Sequence, residues 1–211
     1  MKILLIGPPA SGKSIQGQKL SEELGLPIVN TGKLLREIPE TSIWYQPVDE
    51  AIEMGSLAPN NIVGGLLEEV ITDPKYEKGY ILDGWMRQRS DLEQFDPLFD
   101  WVLYFRLSKG TSINRIVSRR VCEKNGHIYN LVFQPPKVAN MCDIDGSRLI
   151  QREDDTPAVV EFRWKEFERL TLPMIEYFNS KGILIEINAE PMPDVIFAEA
   201  LSKLAKAQES L

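Results

Sequence analysis

A phosphate-loop string close to the N-terminus restricts what this chain can fold into. Residues 7–14 fit the pattern GxxxxGKS, directly after the apolar run 2–6 and before an amphipathic helical pattern over 14–24. The glycines let several backbone N–H groups point at the β- and γ-phosphates, the lysine adds positive charge, and the serine hydroxyl can ligate magnesium. This succession predicts a nucleoside triphosphate site rather than a Gly/Pro-rich turn without a ligand. The string is Gly7, Pro8, Pro9, Ala10, Ser11, Gly12, Lys13 and Ser14.

Composition and charge limit the classes of protein to which this chain can belong. The chain has 211 residues, of which 43% are hydrophobic and 26% charged, enough for one sizeable core with small insertions. No apolar run reaches the ~20 residues that span a bilayer, and the first apolar stretch is too short for a signal peptide. Two cysteines fit a reducing compartment, and a net charge of −7 argues against a nucleic-acid partner. We therefore expect a cytoplasmic protein with no membrane and no nucleic-acid partner.

Five short apolar runs, separated by helical periodicity, predict the fold class. Their hydrophobicity is continuous rather than alternating, which indicates strands buried on both faces. The expected fold is α/β of the P-loop type, a five-stranded parallel sheet with helices on both faces. Ligands of such sheets lie beyond the carboxyl ends of the strands, so Gly7, Asn30, Asp83 and Arg106 should meet in one cleft. The predicted strands are Ile3–Ile6, Pro27–Val29, Tyr80–Leu82, Trp101–Phe105 and Ile183–Ile187.

Two segments interrupt the alternation of predicted strands and helices, and we expect them to form mobile inserts over the cleft. Residues 30–59 carry two short helical patterns broken by Pro39 and Pro47. Residues 118–154 are rich in turn signals and predict a small irregular or β-rich insert. The core would then comprise residues 1–29, 60–117 and 155–211. Its longest helix should run from Pro157 to about Ser180, capped by Asp155 or Thr156.

Several motifs, in order along essentially the whole chain, resemble the adenylate kinases, including the long form of their lid. The resemblance implies a nucleoside monophosphate kinase, with residues 30–59 binding the monophosphate and 118–154 forming the lid. It rests on Asn30-Thr31-Gly32-Lys33-Leu34-Leu35-Arg36, Leu82-Asp83-Gly84-Trp85-Met86-Arg87, Arg115-Ile116-Val117-Ser118-Arg119-Arg120, Phe133-Gln134-Pro135-Pro136-Lys137, Arg152-Glu153-Asp154-Asp155 and Arg163.

The resemblance also implies roles for individual residues. Moving a phosphoryl group between nucleotides brings several negative oxygens together, and guanidinium groups suit such oxygens well. The implied catalytic residues are Lys13, Arg87, Arg119, Arg152 and Arg163. ATP would bind the phosphate loop with Ile15, Arg115, Arg119 and Tyr129, with Arg115 flat against the base. The monophosphate would bind Thr31, Gly32, Arg36, Ser56, Ala58, Gly84, Arg87, Asp91, Arg152 and Arg163. Mg²⁺ would be held through Ser14 and, by way of water, Asp83.

The acceptor side departs from the family pattern. Trp85-Met86-Arg87 replaces Phe-Pro-Arg, Lys33 replaces an aspartate, and Asp91 replaces the glutamine expected to read adenine. A carboxylate only accepts hydrogen bonds, so Asp91 could accept from the adenine amino group but would suit the N1–H and N2–H₂ edge of guanine at least as well. Alternatively, Lys33 and Asp91 pair with each other. In the phosphate loop, Ala10 replaces a glycine, and Ser14-Ile15 shifts the hydroxyl by one position.

The lid raises the question of zinc. Many relatives hold zinc with Cys-x2-Cys followed by Cys-x2-Cys or Cys-x2-Asp, whereas this chain has Cys122-x2-Asn125 and Cys142-x2-Asp145. Asparagine is a poor zinc ligand, although His127, the only histidine, lies nearby. The sequence favours a metal-free polar cluster, with Cys122, Cys142 and Asp145 as the zinc candidates otherwise.

The predicted reaction is Mg·ATP + AMP ⇌ 2 ADP, by direct in-line transfer in a monomer. One alternative is the same chemistry on GMP or a pyrimidine monophosphate. Another is a nucleotide-binding regulator without catalysis, although six retained cationic residues disfavour it. A third alternative is a P-loop ATPase that acts on macromolecules. The acidic composition, which offers no basic surface for such a partner, disfavours it.

Overall fold

A five-stranded parallel sheet forms the centre of the protein, described over residues 1–209 in a computed structural model. Its order is β2-β3-β1-β4-β8, and each strand lies within one residue of its predicted position. The α/β prediction is therefore confirmed; the end of the range 155–211 lies outside the described residues. The sheet strands are β1 (Lys2–Ile6), β2 (Ile28–Asn30), β3 (Tyr80–Asp83), β4 (Trp101–Arg106) and β8 (Leu184–Asn188).

Both faces of the sheet are covered, as continuous apolar runs require. Alternate residues of β1 enter different cores: Leu4 and Ile6 belong to one cluster, and Ile3 and Leu5 belong to the other. All four are almost completely buried. Gly17 of the first helix lets that helix lie close to the sheet, because a Cβ there would be 2.7 Å from Ile28 Cδ1. These contacts hold the phosphate loop, which connects β1 to the helix, at a defined edge.

Nine α-helices accompany the strands within residues 1–209. A 3₁₀ turn at Pro74–Tyr76 precedes β3. None of the described helices is long and apolar enough to cross a bilayer. The helices are α1 (Lys13–Leu24), α2 (Thr31–Arg36), α3 (Tyr45–Met54), α4 (Asn60–Val70), α5 (Asp91–Gln94), α6 (Lys109–Val117), α7 (Pro157–Glu166), α8 (Leu172–Ser180) and α9 (Pro193–Glu209).

The long helix predicted after Pro157 is interrupted by a π-helical segment, Phe167–Thr171, between α7 and α8. Pro173 accounts for the change, because it has no N–H to donate one turn back. Thr156 caps the N-terminus by accepting a hydrogen bond from the Val159 amide. The π-helical turn also contributes to the cleft, since the Thr171 hydroxyl donates to the backbone carbonyl of Arg87 at 3.1 Å.

The two interrupting segments have different structures. Pro39 lies between α2 and α3, as expected, but the prediction that Pro47 breaks a helix is wrong. Pro47 lies in the first turn of α3, where its missing N–H would have no helical partner anyway. Residues 118–154 contain the predicted β-rich insert, a three-stranded antiparallel sheet in the order β6-β5-β7. Its strands are β5 (Arg119–Cys122), β6 (Ile128–Asn130) and β7 (Leu149–Ile150).

Candidate active site

The phosphate loop curls around the side chain of its own lysine. Lys13 Nζ donates to the carbonyls of Gly7 at 2.8 Å and Pro8 at 3.0 Å, and lies 3.3 Å from Ser11 Oγ. The loop needs glycine at both ends: Gly12 has φ +83°, and a Cβ on Gly7 would be 2.7 Å from the Phe105 carbonyl. Burial lowers the pKa of Lys13 to about 8, the positive charges of Arg87 and Arg119 add to this effect, and Asp83 opposes it. The ammonium group is thus held where an anion would stabilise it.

Ser14 and Asp83 form a small oxygen-rich site beside the loop. The Ser14 hydroxyl donates to Asp83 Oδ2 at 2.6 Å, and Asn30 Nδ2 donates to the same oxygen at 2.7 Å. Asp83 is 4% exposed and forms no salt bridge within residues 1–209. Hard oxygen donors of this kind match the preference of Mg²⁺, so the residues present fit a magnesium ion. Asn30 orients the carboxylate from the end of β2.

Two arginines of the cleft are anchored by consecutive aspartates. Arg119 and Asp155 form a two-pronged salt bridge, in which Nε donates to Oδ2 at 2.8 Å. Arg163 donates to Asp154 at 2.6 Å. The Asp155 side chain is completely buried and that of Asp154 is 13% exposed, so both ion pairs are shielded from water and both guanidinium groups are held in fixed positions.

Three further arginines of the cleft have no such partner. Within the described residues, the side chains of Arg36, Arg87 and Arg152 form no hydrogen bond or salt bridge. Burial is the main cause that lowers the pKa of each, and it brings that of Arg152, which also faces Arg119 and Arg36, to about 10. Cations gathered in a cleft without direct ion pairs are unfavourable in isolation, even though carboxylates farther away offset part of their charge. They indicate a site for a strongly negative ligand.

The end of the cleft next to β8 suits a planar ring. Arg115 donates to the carbonyls of Ala189 at 2.9 Å and Glu190 at 3.0 Å, and its guanidinium lies 5.2 Å from the Phe133 ring centroid. Sequence reasoning missed Phe133 as a site residue, although it lies in one of the motifs that carried the resemblance. Tyr129 borders the cleft, but its hydroxyl accepts from the Asp143 amide at 2.7 Å and faces Cys142.

The other end of the cleft contains the unusual Asp91. Its Oδ2 accepts from the backbone amides of Arg87 at 2.9 Å and Gln88 at 3.2 Å, whereas its buried Oδ1 has no hydrogen-bond partner in the part of the chain that the structure describes. Burial raises its pKa, and the hydrogen bonds oppose that effect. Lys33 instead lies 3.8 Å from Glu37, so the alternative of a Lys33–Asp91 pair is wrong. Gln88, which the sequence analysis missed, also borders the cleft, and its position next to Arg87 was the available signal.

The structure brings nearly all of the predicted site residues to one cleft with a cavity of about 380 Å³. Pro8 is buried in the loop and reaches the site only through its carbonyl. Arg106 does not enter the cleft, contrary to prediction; its side chain is half exposed and pairs with Glu186 of β8 at 2.7 Å. The predicted residues that line the cleft are Gly7, Pro9, Ala10, Ser11, Gly12, Lys13, Ser14, Ile15, Asn30, Thr31, Gly32, Arg36, Ser56, Ala58, Asp83, Gly84, Arg87, Asp91, Arg115, Arg119, Tyr129, Arg152 and Arg163.

Met86 shows how the acceptor loop turns without the proline of the family pattern. It is completely buried and has φ +53°. Proline is locked near φ −65° and could not adopt this conformation. The substitution therefore accompanies a different backbone path immediately before Arg87.

Known proteins of the same pattern match this chain over nearly its full length. The adenylate kinase family model matches residues 5–183. The chain belongs to the adenylate kinase family. It is 33% identical over 210 residues to the adenylate kinase of Thermosipho melanesiensis, covering 96% of this chain and 98% of that protein. It is also 34% identical over 212 residues to the adenylate kinase of Staphylococcus epidermidis, covering 97% and 99%. The family resemblance inferred from the motifs is thereby confirmed.

Proposed function

We propose that this cleft transfers the γ-phosphoryl group of Mg·ATP to AMP, reversibly, giving two ADP. The observation that carries the proposal is the set of unpartnered cations between the two ends of the cleft. Within residues 1–209, Arg36, Arg87 and Arg152 are partly buried and form no direct salt bridge, and the acids that act on them do so only at longer range. Lys13 is hydrogen-bonded there only to neutral oxygens. Two nucleotides with their phosphates facing each other would supply the missing negative charge.

On the donor side, the loop amides and Lys13 bind the β- and γ-phosphates. The base lies between Arg115 and Phe133, whose spacing supports stacking on a planar ring. Ser14 and Asp83 hold Mg²⁺, which when bound offsets the negative charge of the triphosphate. In the free protein Ser14 donates to Asp83, and the same oxygens are available to the ion.

On the acceptor side, Arg36 and Arg87 bind the phosphate of the monophosphate, next to Thr31 and Gly84. Arg119, Arg152 and Arg163 surround the transferring group. The bond from the γ-phosphorus to the bridging oxygen of ATP breaks as an oxygen of the acceptor phosphate bonds to that phosphorus. The acceptor is already an anion, so no general base and no phosphoenzyme are needed, and catalysis consists of positioning and charge stabilisation.

The identity of the acceptor base rests on Asp91 and Gln88. Asp91 Oδ2 is already occupied by two amides, which leaves the buried Oδ1 as its one acceptor without a partner in residues 1–209. Adenine presents one amino donor beside the N1 acceptor, and the Gln88 amide can donate to N1. Guanine presents two adjacent donors, so it would need the Gln88 carbonyl as a second acceptor beside Asp91 Oδ1. Together the two side chains replace a single glutamine, which favours AMP, with GMP as the second candidate.

Residues 30–59 and 118–154 act as the two mobile inserts that close over the bound nucleotides. Closure excludes water, which would otherwise accept the phosphoryl group. Low ATPase activity without an acceptor follows from this arrangement. The monomeric state and the cytoplasmic location expected from the sequence stay predictions.

The deciding experiment measures ADP formation from Mg·ATP with AMP, GMP, CMP and UMP offered separately. Rapid turnover with AMP, abolished by Arg87→Met in a protein that keeps its circular dichroism spectrum, supports the proposal. Preference for GMP or a pyrimidine monophosphate would assign the same chemistry to another acceptor. No turnover with any of the four would leave a nucleotide-binding regulator.

Variants of Gln88 and Asp91 test whether these two residues recognise the acceptor base. Gln88→Ala and Asp91→Ala should raise the KM for AMP about 10-fold or more while the KM for ATP changes little. Glu93→Gln, on the exposed side of the same short helix α5, should leave both values unchanged. An unaltered KM for AMP in both cleft variants would remove these residues from base recognition.

A further inference from the structure

The guanidinium of Arg87 is held in the cleft without a partner of its own. Within residues 1–209 it forms no hydrogen bond and no salt bridge. Burial lowers the pKa of Arg87, Asp83 and Asp91 oppose this effect at longer range, and the positive charge of Arg163 adds to it. The surrounding charges thus act on the guanidinium in opposite directions, and none of them fixes it by direct contact. Its position must therefore be set by packing and by the backbone that carries it.

Gly84 provides the space in which the end of the Arg87 side chain lies. A Cβ on Gly84 would be 3.1 Å from Arg87 Nη2 and 3.4 Å from Thr31 Cβ, so a side chain there would crowd the guanidinium. Gly84 also has φ +102°, a conformation that residues with a Cβ rarely adopt. The guanidinium therefore packs on bare backbone at the end of β3, next to Thr31. This contact limits its movement on one side.

Both polar groups of the Arg87 backbone are held by side chains. The Arg87 amide donates to Asp91 Oδ2 at 2.9 Å, and the Arg87 carbonyl accepts from the Thr171 hydroxyl at 3.1 Å. Asp91 belongs to the same turn, whereas Thr171 lies 84 residues further along the chain. Met86, the preceding residue, has φ +53°, which is strained for a residue with a Cβ. Strained backbone persists where the surrounding contacts hold it, and these two hydrogen bonds supply such contacts immediately after Met86.

The π-helical segment Phe167–Thr171 directs the Thr171 hydroxyl towards Arg87 rather than along its own helix. A threonine inside a helix commonly donates to the carbonyl four residues before it, which here is that of Phe167. In this segment the Phe167 carbonyl accepts from the Leu172 amide, five residues further on. Thr171 is only 4% exposed and lines the cleft, and its hydroxyl joins the helix to the turn that carries Arg87. Single π-helical turns of this kind are frequent at functional sites.

We infer that Thr171 is a positioning residue for Arg87. Together with Asp91 it fixes the backbone on both sides of the Arg87 Cα, and so holds a guanidinium without an ion-pair partner where the acceptor phosphate binds. This role rests on the proposed function, in which Arg87 binds that phosphate. The turn contains Met86 instead of the proline of the family pattern, so its geometry depends on these two hydrogen bonds.

Loss of the Thr171 hydroxyl should release this turn. The Arg87 carbonyl would lose its donor, and Met86 could relax towards a negative φ, which would move Arg87 with it. A displacement of about 1 Å at a group that positions substrate can lower the rate about 100-fold. The effect should be confined to the acceptor side, because Lys13 is held by its own hydrogen bonds to the phosphate loop.

Steady-state kinetics of the full chain test this role. Thr171→Val keeps the shape of the side chain but removes the hydroxyl, and it should lower kcat/KM for AMP at least ~10-fold while the affinity for Mg·ATP, measured by calorimetry without acceptor, changes less than about 2-fold. Thr171→Ser keeps the hydroxyl and should recover most of the lost activity. Thr72→Val is the matched control and should leave both quantities unchanged, because it removes a hydroxyl that donates to the Glu69 carbonyl at 2.7 Å outside the cleft.

Amide hydrogen exchange of the ligand-free protein tests the same contact without any reaction. The amides of Arg87 and Gln88, which donate to Asp91, should exchange at least ~10-fold faster in Thr171→Val than in the wild type. The increase is measured relative to the Leu4 amide in the central strand β1, because exchange there follows global unfolding. The serine variant should exchange as the wild type does.

The two measurements separate this role from the proposed function. Wild-type turnover with AMP that Thr171→Val leaves unaltered in kcat and KM would overturn the role of Thr171. Equal losses for ATP and AMP that the serine variant does not restore would also overturn it, because they indicate a general structural defect. If the wild type does not turn over AMP, the proposed function fails and exchange decides the role by itself. Faster exchange at Arg87 supports it, and unchanged exchange there overturns it in either case.

Discussion

The affinity for Mg·ATP should fall as pH rises through about 8, because the ligand-free protein holds Lys13 where its charge is disfavoured. Lys13 Nζ contacts two carbonyls and one hydroxyl, and no carboxylate of residues 1–209 lies within hydrogen-bond distance of it. Burial lowers its pKa from 10.5 to about 8. A bound triphosphate would supply negative charge and raise that pKa again, so binding above this pH must take up a proton.

The size of the effect follows from the pKa. At pH 7 about nine tenths of the lysines are charged, and at pH 9 about one tenth. If only the charged form binds phosphate, the affinity falls about 10-fold between these values, which corresponds to ~1.4 kcal/mol. At pH 8 binding should take up about half a proton for each nucleotide.

Calorimetry with Mg·ATP in pairs of buffers with different ionisation enthalpies measures both quantities. Lys13→Arg is the matched control, since a guanidinium stays charged over the whole range and its affinity should not depend on pH. Equal pH dependence in the wild type and Lys13→Arg, or no proton uptake at pH 8, would refute the argument from burial.

Three further substitutions test other parts of the structure. Arg152→Met removes a partly buried charge that forms no salt bridge, so urea unfolding should show equal stability or a gain on the order of 1 kcal/mol, while kcat falls at least ~100-fold; a loss of stability would contradict this. Asp155→Asn breaks the buried pair with Arg119 and should cost ~3 kcal/mol of unfolding free energy; a negligible cost would show that the pair is solvated. Ala10→Gly relieves a positive φ of 56° and should raise the free energy of unfolding by roughly 0.5 kcal/mol; a decrease would contradict strain at Ala10.

The sheet and the phosphate loop could be predicted from the sequence because their signals are local. Continuous apolar runs such as Ile3–Ile6 require burial on both faces, and a strand, a glycine-rich loop and a helix in succession determine the loop conformation. Nearly every site residue that the family motifs predicted lines the cleft. The prediction that Arg106 enters the cleft was wrong, because its position at the end of a strand does not indicate which neighbouring residue pairs with its side chain.

Side-chain partnerships were decided only by the tertiary structure. Asp91 could have paired with Lys33, but in the fold its Oδ2 accepts from two amides of its own turn and Lys33 lies beside Glu37. Likewise, the chain alone did not distinguish the arginines that Asp154 and Asp155 neutralise from those left free for phosphate.

The lid likewise combines features that the sequence predicts with others that only the tertiary structure shows. Spacing within the sequence identified Cys122, Cys142 and Asp145, but hairpin register placed His127 beside them. Backbone preferences and burial depend on residues close together in the chain, so the sequence alone determined the strands, the loop and the fold class. The charge balance of the cleft and the polar cluster of the lid depend on distances of a few ångströms between residues far apart in the chain, and folding alone sets those distances.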